Sequence, residues 1–263
     1  MKKLINILIA LSLILIIGCE TDDDDDPAIA PTPTPTPIVD ASKSNVKIMF
    51  EHVFGNMSTT FNLNTKYKTE NGDTISATKL AYFISNVKLT KDNGDVFTET
   101  KSYHLVQKED GQMMDMFQLL NVPIGTYNKI EFSIGVDAGA NTTNDQDGDL
   151  DPSKNPSMVW NWDTGYKFFV FEGNYISKNE NSGGLIHHIG RDANYKTLTF
   201  DGFNLTVASS TTDEIHFMVD VSQIWKNPTT LDIENYTSVK GGTEASNLAN
   251  NYTKGMFMQH HAN

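Results

Sequence analysis

Apolar side chains recur at every second position along most of this chain, and that period calls for strands rather than helices. In Ile48-Met49-Phe50-Glu51-His52-Val53-Phe54 the residues Ile48, Phe50, His52 and Phe54 share one side of an extended strand, the inward side if those rings form the core. The same period puts His216 with Met218 and Asp220, opposite Ile215, Phe217 and Val219, and puts Met256, Met258 and His260 on one side of a C-terminal strand. Runs of β-branched and aromatic residues predict strands near 45–54, 60–68, 79–90, 102–107, 127–136, 166–175, 185–190, 196–207, 214–221 and 255–261. Turn chemistry separates them at Asn71-Gly72-Asp73, Asp92-Asn93-Gly94 and Pro123-Ile124-Gly125. Helical signals are few: 221–226 stops before Asn227-Pro228, and 244–252 predicts two turns. The expected class is all-β, an antiparallel β-sandwich with long loops and one or two short helices.

The N-terminal part breaks this pattern. Lys2 and Lys3 precede an apolar run over 4–17, interrupted only by Asn6 and Ser12. It is too short for a spanning helix and suits the apolar region of a signal peptide. The run ends in Ile16-Ile17-Gly18-Cys19, which resembles a bacterial lipobox, so 1–18 is expected to be cleaved and Cys19 to take a lipid. The plainer reading is an ordinary cleavable signal with a Cys near its cut. Lipidation is favoured because Cys19 is the only cysteine in the chain. Asp22–Asp26 then form an acidic run, and Pro27–Pro37 carry Pro-Thr repeats that favour extended polyproline II. Residues 19–44 are thus read as a lipidated, disordered leash and 45–263 as one domain. In Bacteroidetes lipoproteins an acidic stretch after the lipidated Cys resembles a signal for the outer membrane's outer leaflet. An outer-membrane lipoprotein at the cell surface is therefore expected, with the periplasmic face as the alternative.

Charge and motif content exclude several functions. The formal charge of −13 falls to −15 once Lys2 and Lys3 leave with the signal peptide, and such an acidic chain lacks the basic face that nucleic acid requires. No serine elbow, phosphate-binding loop or His-Glu-x-x-His occurs, and the single thiol is assigned to the lipid, so no enzyme is expected. One long connection, 137–163, is rich in Asn, Asp, Gly and Pro and ends near Trp160 and Trp162. Within it Asp145, Asp147, Asp149 and Asp151 alternate, as oxygen ligands for Ca²⁺ do. Gly148 comes too early for an EF-hand and no closing Glu follows; a solvated acidic turn is the plainer reading. Seven histidines, His52, His104, His187, His188, His216, His260 and His261, could serve copper, zinc, iron or nickel. A lone inward histidine is more often a satisfied core residue. Met113-Met114-Asp115-Met116 is read as soft-metal ligands or as gap-filling side chains.

Several segments in order carry a resemblance: Phe50-Glu51-His52-Val53, Lys79 through Leu89, Ser102-Tyr103-His104-Leu105-Val106, Trp160-Asn161-Trp162-Asp163-Thr164-Gly165-Tyr166-Lys167-Phe168, and His188-Ile189-Gly190. Together, over about 45–261, they resemble the MbnP-like copper-binding protein family. The resemblance implies an exported, β-rich, non-enzymatic protein concerned with copper. It further implies that a di-haem peroxidase-like partner oxidises a Trp to kynurenine, which joins histidines at the metal. On that pattern Trp160 or Trp162 is the modified residue, and His52, His188 and a C-terminal His, His260 or His261, are the ligands. Methanotroph-type relatives carry cysteines in the body of the domain and this chain has none, which places it nearer a Bacteroidetes lipoprotein branch. The alternative of another class is an adhesion or glycan-binding sandwich, with Ca²⁺ in the Asp-rich loop and the two indoles stacking a sugar.

Overall fold

Strands form where the alternation calls for them. A computed structural model describes residues 40–209 and 213–262; the apolar N-terminal run, Cys19 and the acidic and Pro/Thr-rich segment lie outside them. The strands are β1 (Lys43–Val53), β2 (Tyr67–Lys68), β3 (Thr74–Lys91), β4 (Val96–Thr98) and β5 (Tyr103–Glu109). They continue as β6 (Gln112–Met114), β7 (Met116–Pro123), β8 (Gly125–Ile134), β9 (Lys167–Ile176) and β10 (Ser182–Gly190). The last are β11 (Lys196–Val207), β12 (Asp213–Asp220), β13 (Ser238–Val239) and β14 (Phe257–Ala262), with one α-helix, α1 (Gly242–Asn251), before β14. No helix among the described residues is long and apolar enough to cross a membrane.

Two sheets result. The smaller has the order β14-β12-β1-β7, and the larger runs β11-β8-β3-β9-β10-β13, with β2, β4 and β5 also on β3. The long strand β3 is the spine: Tyr82 sits between Val106 and Phe169, and Ser85 between Tyr103 and Ser133. This is an all-β sandwich. Its pairing is mixed rather than purely antiparallel, because β1–β12 and β10–β13 are parallel.

Local chemistry explains the differences from expectation. The strand expected over 60–68 shrinks to β2, since Asn64 adopts φ 60° and the Tyr67 hydroxyl binds backbone at Thr60 and Asn62. The unpredicted β7 carries adjacent Leu119 and Leu120 and gains its ladder from β1. A π-helical turn, Tyr252–Met256, puts Met256 into the core, so it does not share a face with Met258 and His260.

At its centre, along the middle of β3 and the start of β9, the large sheet is buried on both faces. Its inner face joins the small sheet in one core, where Phe50 packs edge-on to Tyr82, Phe132 and Phe257 and stacks on Phe217. Its outer face carries a second cluster, including Ala81, Phe83, Leu105, Tyr166, Phe168 and Val170. The long connection lies over that outer face, anchored by buried Leu150 and Met158 and by a 2.9 Å bond from the Tyr166 hydroxyl to the Leu150 carbonyl.

Candidate functional site

The outer face of the large sheet holds an interlocked group formed by the end of the long connection and the last turn of β10. Trp160 is 4 % exposed and donates its indole N–H to the Tyr166 carbonyl at 3.1 Å. A Cβ on Gly190 would lie 2.5 Å from that same carbonyl oxygen and 2.9 Å from the Trp160 ring, so only glycine lets the indole seat there. Gly165 has φ +100°, a Cβ there would lie 2.6 Å from Asn141 Oδ1, and that oxygen accepts the Tyr166 N–H at 2.9 Å. Trp-x-Trp-x-x-Gly-Tyr and His-x-Gly are therefore the two halves of one packing arrangement.

Trp162 lies beside Trp160, ring centroids 5.2 Å apart, but is 61 % exposed. Arg191 stacks over it at 5.5 Å and pairs with Asp163 at 2.6 Å. Arg191 is held at φ 76°, a costly conformation for a non-glycine residue that its surroundings must enforce.

His188 is opposite Val170 across the β9–β10 ladder and so shares the outer face with it. Its centroid is 6.4 Å from Trp160, and its Nε2 meets Glu172 Oε1 at 2.7 Å. An ionised carboxylate only accepts, so Nε2 carries the proton and Nδ1 the lone pair. Burial pushes the His188 pKa below its ordinary value and so favours the neutral ring, and the Glu172 hydrogen bond opposes this only in part. Lys167, depressed by burial, donates to the Ser157 carbonyl at 2.7 Å and lies 5.7 Å over the Trp160 ring. Buried Lys79 holds Glu109 at 2.7 Å and Ser157 Oγ at 2.8 Å. Glu172, Lys167 and Arg191 were not singled out in the sequence; the adjacent pair His187-His188 was the available signal, since alternation sends one to each face.

The three-histidine set does not come together. His52 points into the inter-sheet core, 2 % exposed, with Nε2 3.0 Å from the Tyr82 hydroxyl. Tyr82 belongs to the inner core while its neighbour Ala81 belongs to the outer cluster that His188 faces, so the large sheet stands between the two imidazoles. His260 is exposed on β14, an edge strand of the other sheet. Among the described residues no three His, Cys, Asp or Glu side chains group as metal ligands. Copper therefore does not fit His52, His188 and His260 jointly. What the outer face does bring together is a smaller set: one oriented imidazole, one carboxylate and two indoles.

The Asp-rich loop is not a Ca²⁺ cage. Asp147 pairs with Lys101 at 2.7 Å, Asp149 accepts the Leu105 N–H at 2.8 Å, and Asp151 accepts from the Ser153 backbone and hydroxyl. These carboxylates are turned toward separate protein donors, which stitch the loop to β5 and close its turn. The methionine run also divides: Met113 is 67 % exposed, Met114 packs on the outer cluster, and Met116 faces outward on β7.

Comparison with known proteins adds the family. A sequence profile of the MbnP family matches residues 43–244, most of the folded unit. The chain belongs to the MbnP family. Among solved structures, MbnP from Methylosinus trichosporium superposes with a TM-score of 0.51 at 14 % identity, covering 76 % of this chain and 82 % of that one. At that identity the likeness speaks for the fold. No curated protein sequence matches significantly. The family segments coincide with the interlocked group, since Trp160, Trp162, Gly165, His188 and Gly190 all lie within the matched span.

Proposed function

We propose that this MbnP family member is a non-enzymatic copper-binding lipoprotein, tethered to the outer membrane through Cys19, whose site is centred on His188. The observation that carries the reading is a neutral imidazole oriented by Glu172 and placed beside a Trp pair. A carboxylate behind a ligating histidine fixes its tautomer and raises its basicity. His188 Nδ1 is then the nitrogen offered to the metal, and the ion is cargo, held rather than used.

One imidazole is a sparse donor set for copper. Trp162 is the indole that an external oxidant can reach, whereas Trp160 is sealed and its N–H is engaged. A di-haem peroxidase-like partner supplied with two equivalents of peroxide would cleave the Trp162 C2–C3 bond to N-formylkynurenine with release of two waters. Hydrolysis of the formyl group as formate would leave kynurenine, whose aryl amine is a second neutral donor. Protein recovered from cells that contain the oxidising partner should carry a kynurenine at Trp162 by peptide mass mapping. It should lose Cu(I) affinity in His188→Ala and in Trp162→Phe. A modification on Trp160, or full Cu(I) binding in both variants, contradicts the proposal. For the anchor, Cys19→Ala should move the protein from the detergent phase to the aqueous phase.

The exposed Trp162 ring, braced by Arg191 and Asp163, also favours a second reading: a platform for stacking a sugar. Trp162→Phe separates the two, because phenylalanine keeps an aromatic face for a sugar but has no indole to open.

A further inference from the structure

A cleft of about 420 Å³ is lined from both sheets. Phe97, Glu99 and His104 reach it from the β4–β5 side of the large sheet, and Gln118, Leu120 and Asn121 from β7, an edge strand of the small one. That volume lies in the range of small-ligand sites. Register sets Phe97 opposite Leu89 and His104 opposite Ile84, and both partners belong to the core, so Phe97 and His104 face the small sheet. The His104 ring lies flat on Phe117 of β7, with centroids 3.7 Å apart and planes within 1°.

The carboxylate in this cleft is held from one side. His104 Nε2 lies 2.8 Å from Glu99 Oε2, and the Ser102 hydroxyl donates to the same oxygen at 2.6 Å. A carboxylate only accepts, so His104 Nε2–H is the donor. Ser102 is fixed in turn, because its Oγ accepts the Val87 N–H at 2.9 Å. The Glu99 side chain is 13 % exposed, and both bonds fall on Oε2; among the described residues Oε1 takes none. Two donors and a stacked ring therefore fix the direction of the carboxylate and leave Oε1 for a donor from outside the fold. Glu99 is the one acidic residue lining the cleft, and no Lys or Arg lines it.

We infer that this cleft binds a small organic amine in its ammonium form, the N–H donating to Glu99 Oε1 and the apolar stem lying along Phe97 and Leu120. A charge-assisted bond to a preset carboxylate is the strong contact, and the exposed Leu120 supplies apolar surface to cover. The chain's charge of −13 draws cations toward it and disfavours anions. His104 faces the small sheet and His188 the outer side, so this site stands or falls separately from the copper proposal.

The test is a titration of the protein with benzylammonium, followed by NMR at the leucine methyls and backbone amides. The Leu120 methyls and the Glu99 amide should shift together and saturate, while buried Leu150 and the exposed Asp163 stay in place. Benzyl alcohol and benzoate, of similar shape without the positive charge, should bind at least tenfold more weakly. Glu99→Gln keeps an acceptor for Ser102 and His104 and should lose affinity by a similar factor, whereas His188→Ala should leave it unchanged. An end-blocked lysine tripeptide carries the same cation on a peptide, and tighter binding of it than of benzylammonium overturns the assignment to a small amine. Equal binding of benzyl alcohol, wild-type affinity in Glu99→Gln, or shifts spread over the exposed carboxylates overturns the inference. The comparison of the three probes on the wild-type protein decides even if the variant fails to fold.

Discussion

His187 and His188 are neighbours in the chain and belong to different environments. His187 faces the inter-sheet core, fully buried, its Nε2–H donating to the Tyr236 carbonyl at 2.6 Å and its Nδ1 without a hydrogen-bond partner among the described residues. His188 faces the other side of the same sheet, beside a carboxylate, two indoles and a loop. His52 resembles His187: it is sealed, and burial holds its pKa down at about 3. The inner face shows what a sandwich does with an imidazole when packing decides. The outer face shows one kept within reach of chemistry. A histidine's type and position in a strand do not distinguish these fates; what covers each face does.

The largest expected effect is acid destabilisation of the inner face. His52 and His187 sit at about 3 and about 4, against an ordinary 6.5, chiefly through burial. Below pH 6.5 the unfolded chain takes up protons that the folded chain refuses, so stability falls as pH drops. It continues to fall until the folded-state values are reached, each histidine costing up to about 1.4 kcal/mol per pH unit. Melting temperature followed from pH 7 to pH 4.5 should fall steeply, and His52→Gln or His187→Gln should flatten the curve more than His188→Gln does. An equal slope in all three would erase the distinction between the faces.

On the outer face, Gly190→Val should cost roughly 2–3 kcal/mol by forcing a side chain against the Tyr166 carbonyl and the Trp160 ring. Denaturant unfolding with fluorescence would show both the loss and the displaced indole. The smallest effects separate the two indoles. Trp160→Phe should cost about 1 kcal/mol or more from the lost N–H bond to Tyr166, whereas Trp162→Phe should stay within about 0.5 kcal/mol. Matching losses would mean that Trp162 is structural after all.

Much of this fold is legible in the alternation. The strand expected over 196–207 coincides with β11, and β1 begins two residues earlier than its expected start. Local readings fail where a long-range partner decides. β7 is a strand because β1 lies beside it, and the Asp-rich loop is held by Lys101, 46 residues before Asp147. The Trp and His-x-Gly segments are visible in the sequence, but their mutual packing through Gly190 is not. Parity places His52 inward correctly; it cannot say that the sheet carrying His188 lies between that ring and His188. Glu172 looks like any polar residue in a strand until the β9–β10 register makes it the diagonal neighbour of His188.

The proposed copper site places the metal on the outer face, at His188, and not on the inner one. Cu(I) competition titrations on His188→Ala and His52→Gln, side by side with the wild-type protein, test it most directly. If His188 holds the metal, affinity should fall at least tenfold in His188→Ala and stay at the wild-type value in His52→Gln. Retained binding in His188→Ala together with loss in His52→Gln would contradict it.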